Sequence, residues 1–104
     1  MCRVNYLARA IADLEAVYSF IAEDSPRKAN ATVQGILRKI KILRTMPYAG
    51  HRRLEFGPDV RTLVATPFVV FYRLLEHERV IEILRVIDGR RDLGTVFFSP
   101  LVAA

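Results

Sequence analysis

The chain has 104 residues, 52% of them hydrophobic and 26% charged, with a net charge of +5 and a single cysteine. That is an ordinary composition for one small globular domain, and it excludes a disordered or repetitive chain. No run approaches the roughly 20 consecutive apolar residues of a membrane span. Arg3, Arg9, Asp13 and Glu15 interrupt the stretch where a secretory signal would be apolar. Cys2 has no partner for an internal disulfide and sits where chain ends usually fray, so it reads as an incidental thiol. A cytoplasmic protein with no membrane association is expected.

The charge is unevenly placed. Between Asp24 and Glu55 there is no acidic residue, while Arg27, Lys28, Arg38, Lys39, Lys41, Arg44, Arg52 and Arg53 fall there, half of the 16 basic side chains. Such a segment suits nucleic-acid phosphates or an acidic protein, and is otherwise a solvated helix face. Arginines outnumber lysines thirteen to three. The guanidinium fork favours fixed, bidentate contacts to carboxylate or phosphate.

In chain order, residues 3–7 alternate polar and apolar side chains as a half-buried strand does. From Ala8 the period lengthens, with Ala10, Leu14, Val17, Tyr18 and Ile21 three or four apart, which predicts a helix to about Asp24. Ser25-Pro26 is a helix start, Ser as N-cap and Pro at the first helical position. The second helix carries the apolar stripe Ala29, Val33, Ile36, Leu37, Ile40 and Leu43, with Arg27, Gln34, Arg38 and Lys41 on another face. Pro47 and Gly50 end it. Because few residues join the two helices, they are expected to form an antiparallel hairpin.

Three β-rich runs follow, Val60–Val64, Phe68–Leu75 and Val80–Ile87, and a four-residue loop between the last two predicts a meander. The expected fold is α+β, in the order β-α-α-β-β-β, with the helical hairpin packed on one face of a mainly antiparallel sheet. One domain is expected over 1–104, with its core at about 3–93 and a C-terminal tail at 94–104. Strict alternation sets Phe68, Val70, Tyr72 and Leu74 against Val69, Phe71, Arg73 and Leu75, and Val80, Glu82, Leu84 and Val86 against Ile81, Ile83, Arg85 and Ile87. Both faces are apolar, yet the helices can cover only one. An exposed apolar surface dotted with arginines is therefore expected, for a partner or a second copy of the chain.

Catalytic constellations are not apparent. The sequence carries no zinc spacing, Gly-rich phosphate loop or nucleophile elbow, so no metal and no cofactor is expected. His51 and His77 read as surface residues. What remains is an arginine set, Arg61, Arg73, Arg85, Arg90 and Arg91, which either pairs with neighbouring acids such as Glu82, Asp59 or Asp92 or forms a shared anionic subsite.

Ala12-Asp13-Leu14, Pro47-Tyr48-Ala49-Gly50, Val60-Arg61-Thr62-Leu63, Phe68-Val69-Val70-Phe71-Tyr72-Arg73 and Ile83-Leu84-Arg85-Val86-Ile87-Asp88-Gly89-Arg90-Arg91 occur in that order over about residues 3–93. Together they resemble toxins of the RelE/ParE superfamily, the toxic halves of type II toxin–antitoxin modules. The resemblance implies neutralisation by a cognate antitoxin and one of two mechanisms. RelE-like members are ribosome-dependent mRNA endoribonucleases, in which Arg61, Arg85 and Arg91 would surround the phosphate and a Tyr or His near the end of the last strand would move the proton. Here that region reads Asp88 and then Val96-Phe97-Phe98, and a missing acid/base group typically forfeits about a hundred- to ten-thousand-fold in rate. The short Asp-Gly-Arg-Arg ending instead resembles the ParE-like branch, which poisons DNA gyrase by binding, although members of that branch often have His where Asp88 stands. The implied antitoxin- and target-binding residues are Arg61, Phe71, Arg73, Ile83, Arg85, Arg90 and Arg91. A separate basic helix face carries Arg38, Lys41, Arg52 and Arg53.

Overall fold

A computed structural model describes residues 1–99. The elements are β1 (Arg3–Tyr6), α1 (Ala8–Ala22), α2 (Pro26–Lys41) running into a 3-10 turn (Ile42–Arg44), β2 (His51–Arg52), a second 3-10 turn (Leu54–Phe56), β3 (Val60–Ala65), β4 (Phe68–Leu75), β5 (Val80–Asp88) and α3 (Leu93–Phe98). The expected α+β order is present with two additions, the short β2 and the helix α3. The Ser25 hydroxyl accepts from the Lys28 N–H at 3.2 Å, so α2 starts at the cap its sequence announces. No helix among the described residues is long and apolar enough to cross a membrane.

The sheet has five strands in the order β1-β5-β4-β3-β2. Antiparallel pairing joins β2 to β3, β3 to β4 and β4 to β5, while β1 lies parallel to β5 with Arg3 opposite Val80 and Tyr6 opposite Ile83. The α1–α2 pair supplies the crossover that such a parallel neighbour requires. Cys2, expected to fray, is buried, and its N–H donates to the Arg44 carbonyl at 2.9 Å. The start of the chain is thus tied to the end of α2.

One core lies between the helical hairpin and the sheet. Ala10 of α1 and Ile36 and Ile40 of α2 pack with Leu43 on Leu63, Val70, Tyr72, Ile81 and Ile83. Tyr18, placed on the apolar stripe by its spacing, is instead exposed. The opposite sheet face departs from expectation. Phe56, Val60, Phe71 and Ile87 form a second core there, covered by Leu93, Val96 and Phe97 of α3. The Phe56 and Phe71 ring centroids are 4.9 Å apart at 77°, and Phe97 lies 5.0 Å from Phe56 and 4.9 Å from Phe71. Such edge-on and tilted aromatic contacts add to the area term.

The open apolar face is therefore corrected: α3, whose residues 94–98 were expected to be tail, folds back to close it. The remaining tail positions, 100–104, lie outside the described residues. Strict alternation also fails in β5. Phe71 is opposite Arg85 but Tyr72 is opposite Ile83, so Leu84 is an extra residue, a β-bulge. Beyond it the phase reverses, which places Ile81, Ile83 and Val86 in the helix-side core and Leu84 and Ile87 in the other.

If α3 is the cover of the second core, Phe97→Ala lowers stability by about 2–3 kcal/mol, somewhat below the cost for a fully buried ring. It should also create binding of a dye specific for exposed apolar surface, while Phe97→Leu retains most of the stability. Urea unfolding followed by circular dichroism checks the first outcome, and dye fluorescence the second.

Candidate functional site

The bulge in β5 also determines where Arg85 points. Its side chain runs between α1 and α3. Nε and Nη2 donate to the two carboxylate oxygens of Asp13 at 2.7 and 2.9 Å, and Nη1 donates to the Val96 carbonyl at 2.9 Å. The same Asp13 carboxylate accepts from the Val86 N–H at 2.8 Å. Parallel pairing with β1 ends at Tyr6 opposite Ile83, so farther along β5 a side chain from α1 takes the place of a neighbouring strand. The ion pair is largely buried, with side-chain exposures of 10% for Arg85 and 16% for Asp13. A guanidinium held by three acceptors leaves little capacity for a ligand.

Next to this pair a cleft of about 490 Å³ opens between the second half of α1 and the end of β5. Val17, Phe20, Ile21, Phe68 and Val86 provide its apolar lining, and Asp88, Arg90 and Arg91 stand along its edge. Phe20 is 77% exposed, the most exposed aromatic ring among the described residues. Arg90 donates through Nη2 and Nε to the Asp88 carboxylate at 2.6 and 3.0 Å, and through its backbone N–H at 2.9 Å. The Arg90 guanidinium and N–H hold the Asp88 carboxyl down at about 2. Asp88 is thus a fixed anion at neutral pH.

Arg61 belongs to a different structure. It donates to the Gly50 carbonyl at 2.8 Å and lies 5.1 Å from the Tyr48 ring centroid. Tyr72, buried beneath, accepts from the Gly50 N–H and donates to the Pro47 carbonyl, both at 2.9 Å, and burial raises its phenol pKa. A Cβ on Gly50 would come within 2.6 Å of the Thr62 carbonyl and 2.7 Å of the Tyr72 ring, so only glycine fits. The Pro47-Tyr48-Ala49-Gly50 segment is therefore a latch fastened to β3 and β4.

The arginines of the meander are not one anionic subsite. Arg61 serves the latch, Arg85 the buried pair, Arg73 a bond of 2.6 Å to Glu82, and Arg90 the Asp88 carboxylate. Only Arg85, Arg90 and Arg91 line the cleft together. Phe71 and Ile83, expected on an exposed docking face, are fully buried, one in each core. Of the set expected on one basic helix face, Arg38 and Lys41 are exposed on α2, whereas Arg52 lies on β2, donating to the Pro58 carbonyl at 3.3 Å, and Arg53 follows it and pairs with Glu55 at 3.1 Å.

The sequence reasoning missed the roles of Asp13 and Phe20. For Asp13 the available signal was an acid set among the apolar positions of α1. For Phe20 it was a large aromatic ring off the apolar stripe.

Asp13→Ala and Arg85→Ala should each cost on the order of 3–5 kcal/mol, because each leaves an unpaired partner in a largely buried place. The Asp13→Leu/Arg85→Met double variant should lose much less than the sum of the two, as read from urea midpoints. Asp88 has its pKa lowered in the folded chain, so its pairing with Arg90 contributes fully above about pH 4 and fades as the pH falls towards about 2. An NMR titration of the Asp88 carboxyl should show that low midpoint, and Arg90→Gln should move it upward.

Known proteins are similar to this chain in sequence and fold. The family model described as the ParE toxin of the type II toxin–antitoxin system, parDE, matches residues 4–93. Toxin ParE3 of Caulobacter vibrioides is 34% identical over 83 residues, covering 79% of this chain and 81% of the relative. Among solved structures, a chain of the chromosomal ParDE TA system from P. aeruginosa superposes with a TM-score of 0.71 at 32% identity, covering 85% of this chain and 96% of that one. A chain of the RelBE2 toxin–antitoxin complex from Mycobacterium tuberculosis gives 0.58 at 20% identity, covering 84% and 96%, which is a likeness of fold. On the family match and the Caulobacter relative, this chain belongs to the ParE toxin family of type II toxin–antitoxin systems.

Proposed function

We propose that this chain is the toxin of a type II module in the cytoplasm, that it inhibits DNA gyrase by binding it, and that a cognate antitoxin seated in the α1–β5 cleft neutralises it. The family match over residues 4–93 carries the reading. The chemistry of the cleft supports binding over cleavage. Among the described residues its ionisable lining consists of Asp13, Arg85, Asp88, Arg90 and Arg91. Both carboxylates are bonded to arginines, and an acid held at about 2 is a poor proton donor near neutral pH. Phe97 and Phe98, which stand in the region where an endoribonuclease of this superfamily would carry its proton-transfer residue, belong to an aromatic cluster with Phe56.

The cleft also suits an antitoxin segment. Phe20, Val17 and Ile21 offer apolar contact, while Arg90, with 78% side-chain exposure, and Arg91 offer charge to an acidic edge. Such a partner combines aromatic anchoring with polar rim contacts, the usual layout of a specific interface.

In a supercoiling assay with purified gyrase, the chain at stoichiometric excess should block supercoiling or trap cleaved DNA, and the protein encoded by the adjoining reading frame should relieve the effect. Unaffected gyrase together with discrete cuts in translated mRNA would overturn this reading in favour of an endoribonuclease. Phe20→Glu should weaken antitoxin binding at least ten-fold in calorimetry with no loss of helical content, since the ring is mostly exposed.

A further inference from the structure

The charge of this molecule is segregated beyond what its total suggests. Residues 25–54 hold eight of the 16 basic side chains and no acid, a balance of +8; the other eight bases face all 11 acids, a balance of −3. The structure divides the two populations again. Arg53, Arg73, Arg85 and Arg90 each hold a carboxylate. On α2 and its 3-10 turn, Arg27, Lys28, Arg38, Lys39, Lys41 and Arg44 are all exposed, and among the described residues none of their side chains forms an ion pair. The net positive charge of the chain is thus displayed largely on one helix.

Helix stability does not account for this pattern. Cations in the last turn of α2, Arg38, Lys39 and Lys41, favour the helix dipole, but Arg27 and Lys28 occupy the first turn, where positive charge opposes it. Cations at both ends point to a ligand that runs along the axis. Arg27, Arg38 and Lys41 fall within one stripe of the helix surface, with Ala31 and Gln34 between them. From Arg27 to Lys41 the stripe extends roughly 21 Å at 1.5 Å per residue, about the rise of six base pairs. At its end Arg38, Lys41, Arg44 and Thr45 border, together with the apolar Met1 and Ile42, a shallow hollow of about 330 Å³. The three cations at its rim suit a phosphate group, while the Thr45 hydroxyl is turned to the Ile42 carbonyl at 3.3 Å.

We propose that this face of α2 binds the phosphate backbone of a nucleic-acid duplex without regard to sequence. The residues between the cations favour that occupant over an acidic protein. Ala31 and Gln34 are not the large apolar or aromatic anchors that protein interfaces use, whereas phosphate contacts need charge and small polar groups alone. The absence of an aromatic ring from the stripe between Arg27 and Lys41 removes the stacking platform on which single strands are held. The surface is separate from the α1–β5 cleft, so an antitoxin in the cleft leaves it free, and the proposal stands whether or not gyrase is the target.

Fluorescence anisotropy of the full chain with a labelled 20-base-pair DNA of arbitrary sequence tests it. With three or four phosphates neutralised, affinity should fall roughly 40- to 150-fold between 50 and 200 mM KCl. Arg38→Gln/Lys41→Gln should lower affinity at least ten-fold at 100 mM KCl and reduce the slope of log affinity on log salt by about 2. The charge-matched Arg3→Gln/Arg79→Gln should change it less than three-fold, with unchanged circular dichroism in both. Comparable binding of an RNA duplex would support a contact to phosphates alone. Equal losses in the two variants, tighter binding of single strands, or competition by polyglutamate as effective as by duplex at equal charge would each overturn it.

Discussion

The Asp13 carboxylate accepts both forks of the Arg85 guanidinium and the Val86 N–H, while the remaining nitrogen of Arg85 reaches the Val96 carbonyl. Through these bonds α1, β5 and α3 share one largely buried charge centre. Its cost is the removal of two charges from water, which is offset only when geometry and additional hydrogen bonds satisfy both ions. Here each ion has a further partner: a backbone N–H for the carboxylate and a backbone carbonyl for the guanidinium. The bulge at Leu84 is part of the same device, since without the extra residue Arg85 and Val86 would exchange faces.

Around that centre the sheet acquires two cores in place of one. The larger, under the helical hairpin, is built mainly from aliphatic side chains with Phe68 and the Tyr72 ring, whose hydroxyl fastens the Pro47–Gly50 latch. The smaller is aromatic and depends on a single turn-and-a-half of helix, α3, capped by Asp92 accepting from Thr95 N–H at 3.2 Å. A chain of this length has little apolar surface to spare, and burying both sheet faces makes fuller use of it. Val64 of β3 and Phe98 of α3 stay exposed at the margins, and Phe20 beside the cleft is the most exposed aromatic ring among the described residues.

The two sides of the molecule then differ in kind. The cleft combines an apolar floor with arginines whose charge is partly matched by Asp88, a surface suited to a shaped polypeptide partner. The outer face of α2 carries unmatched charge over its length and suits a regular polyanion. The two surfaces share no lining residue, so the chemistry of each is independent of the other.

Much of this was legible along the chain. The change of period at Ala8, the Ser25-Pro26 cap, the three β-rich runs and the acid-free segment are local properties, set by near-neighbour geometry and composition, and they appear in the fold where the sequence places them. The partners of the arginines were not legible, because Arg85 meets Asp13 from 72 residues away, and a contact of that separation has no periodicity to announce it. Nor was the cover of the second sheet face, since the six residues of α3 are too few to declare a helix by pattern. By itself the sequence determined the elements other than β2 and α3, the helical hairpin and the placement of unmatched charge. Only the tertiary structure decided which arginines are free, because freedom depends on what distant segments bring alongside, and the one-residue bulge in β5 reassigned those neighbours.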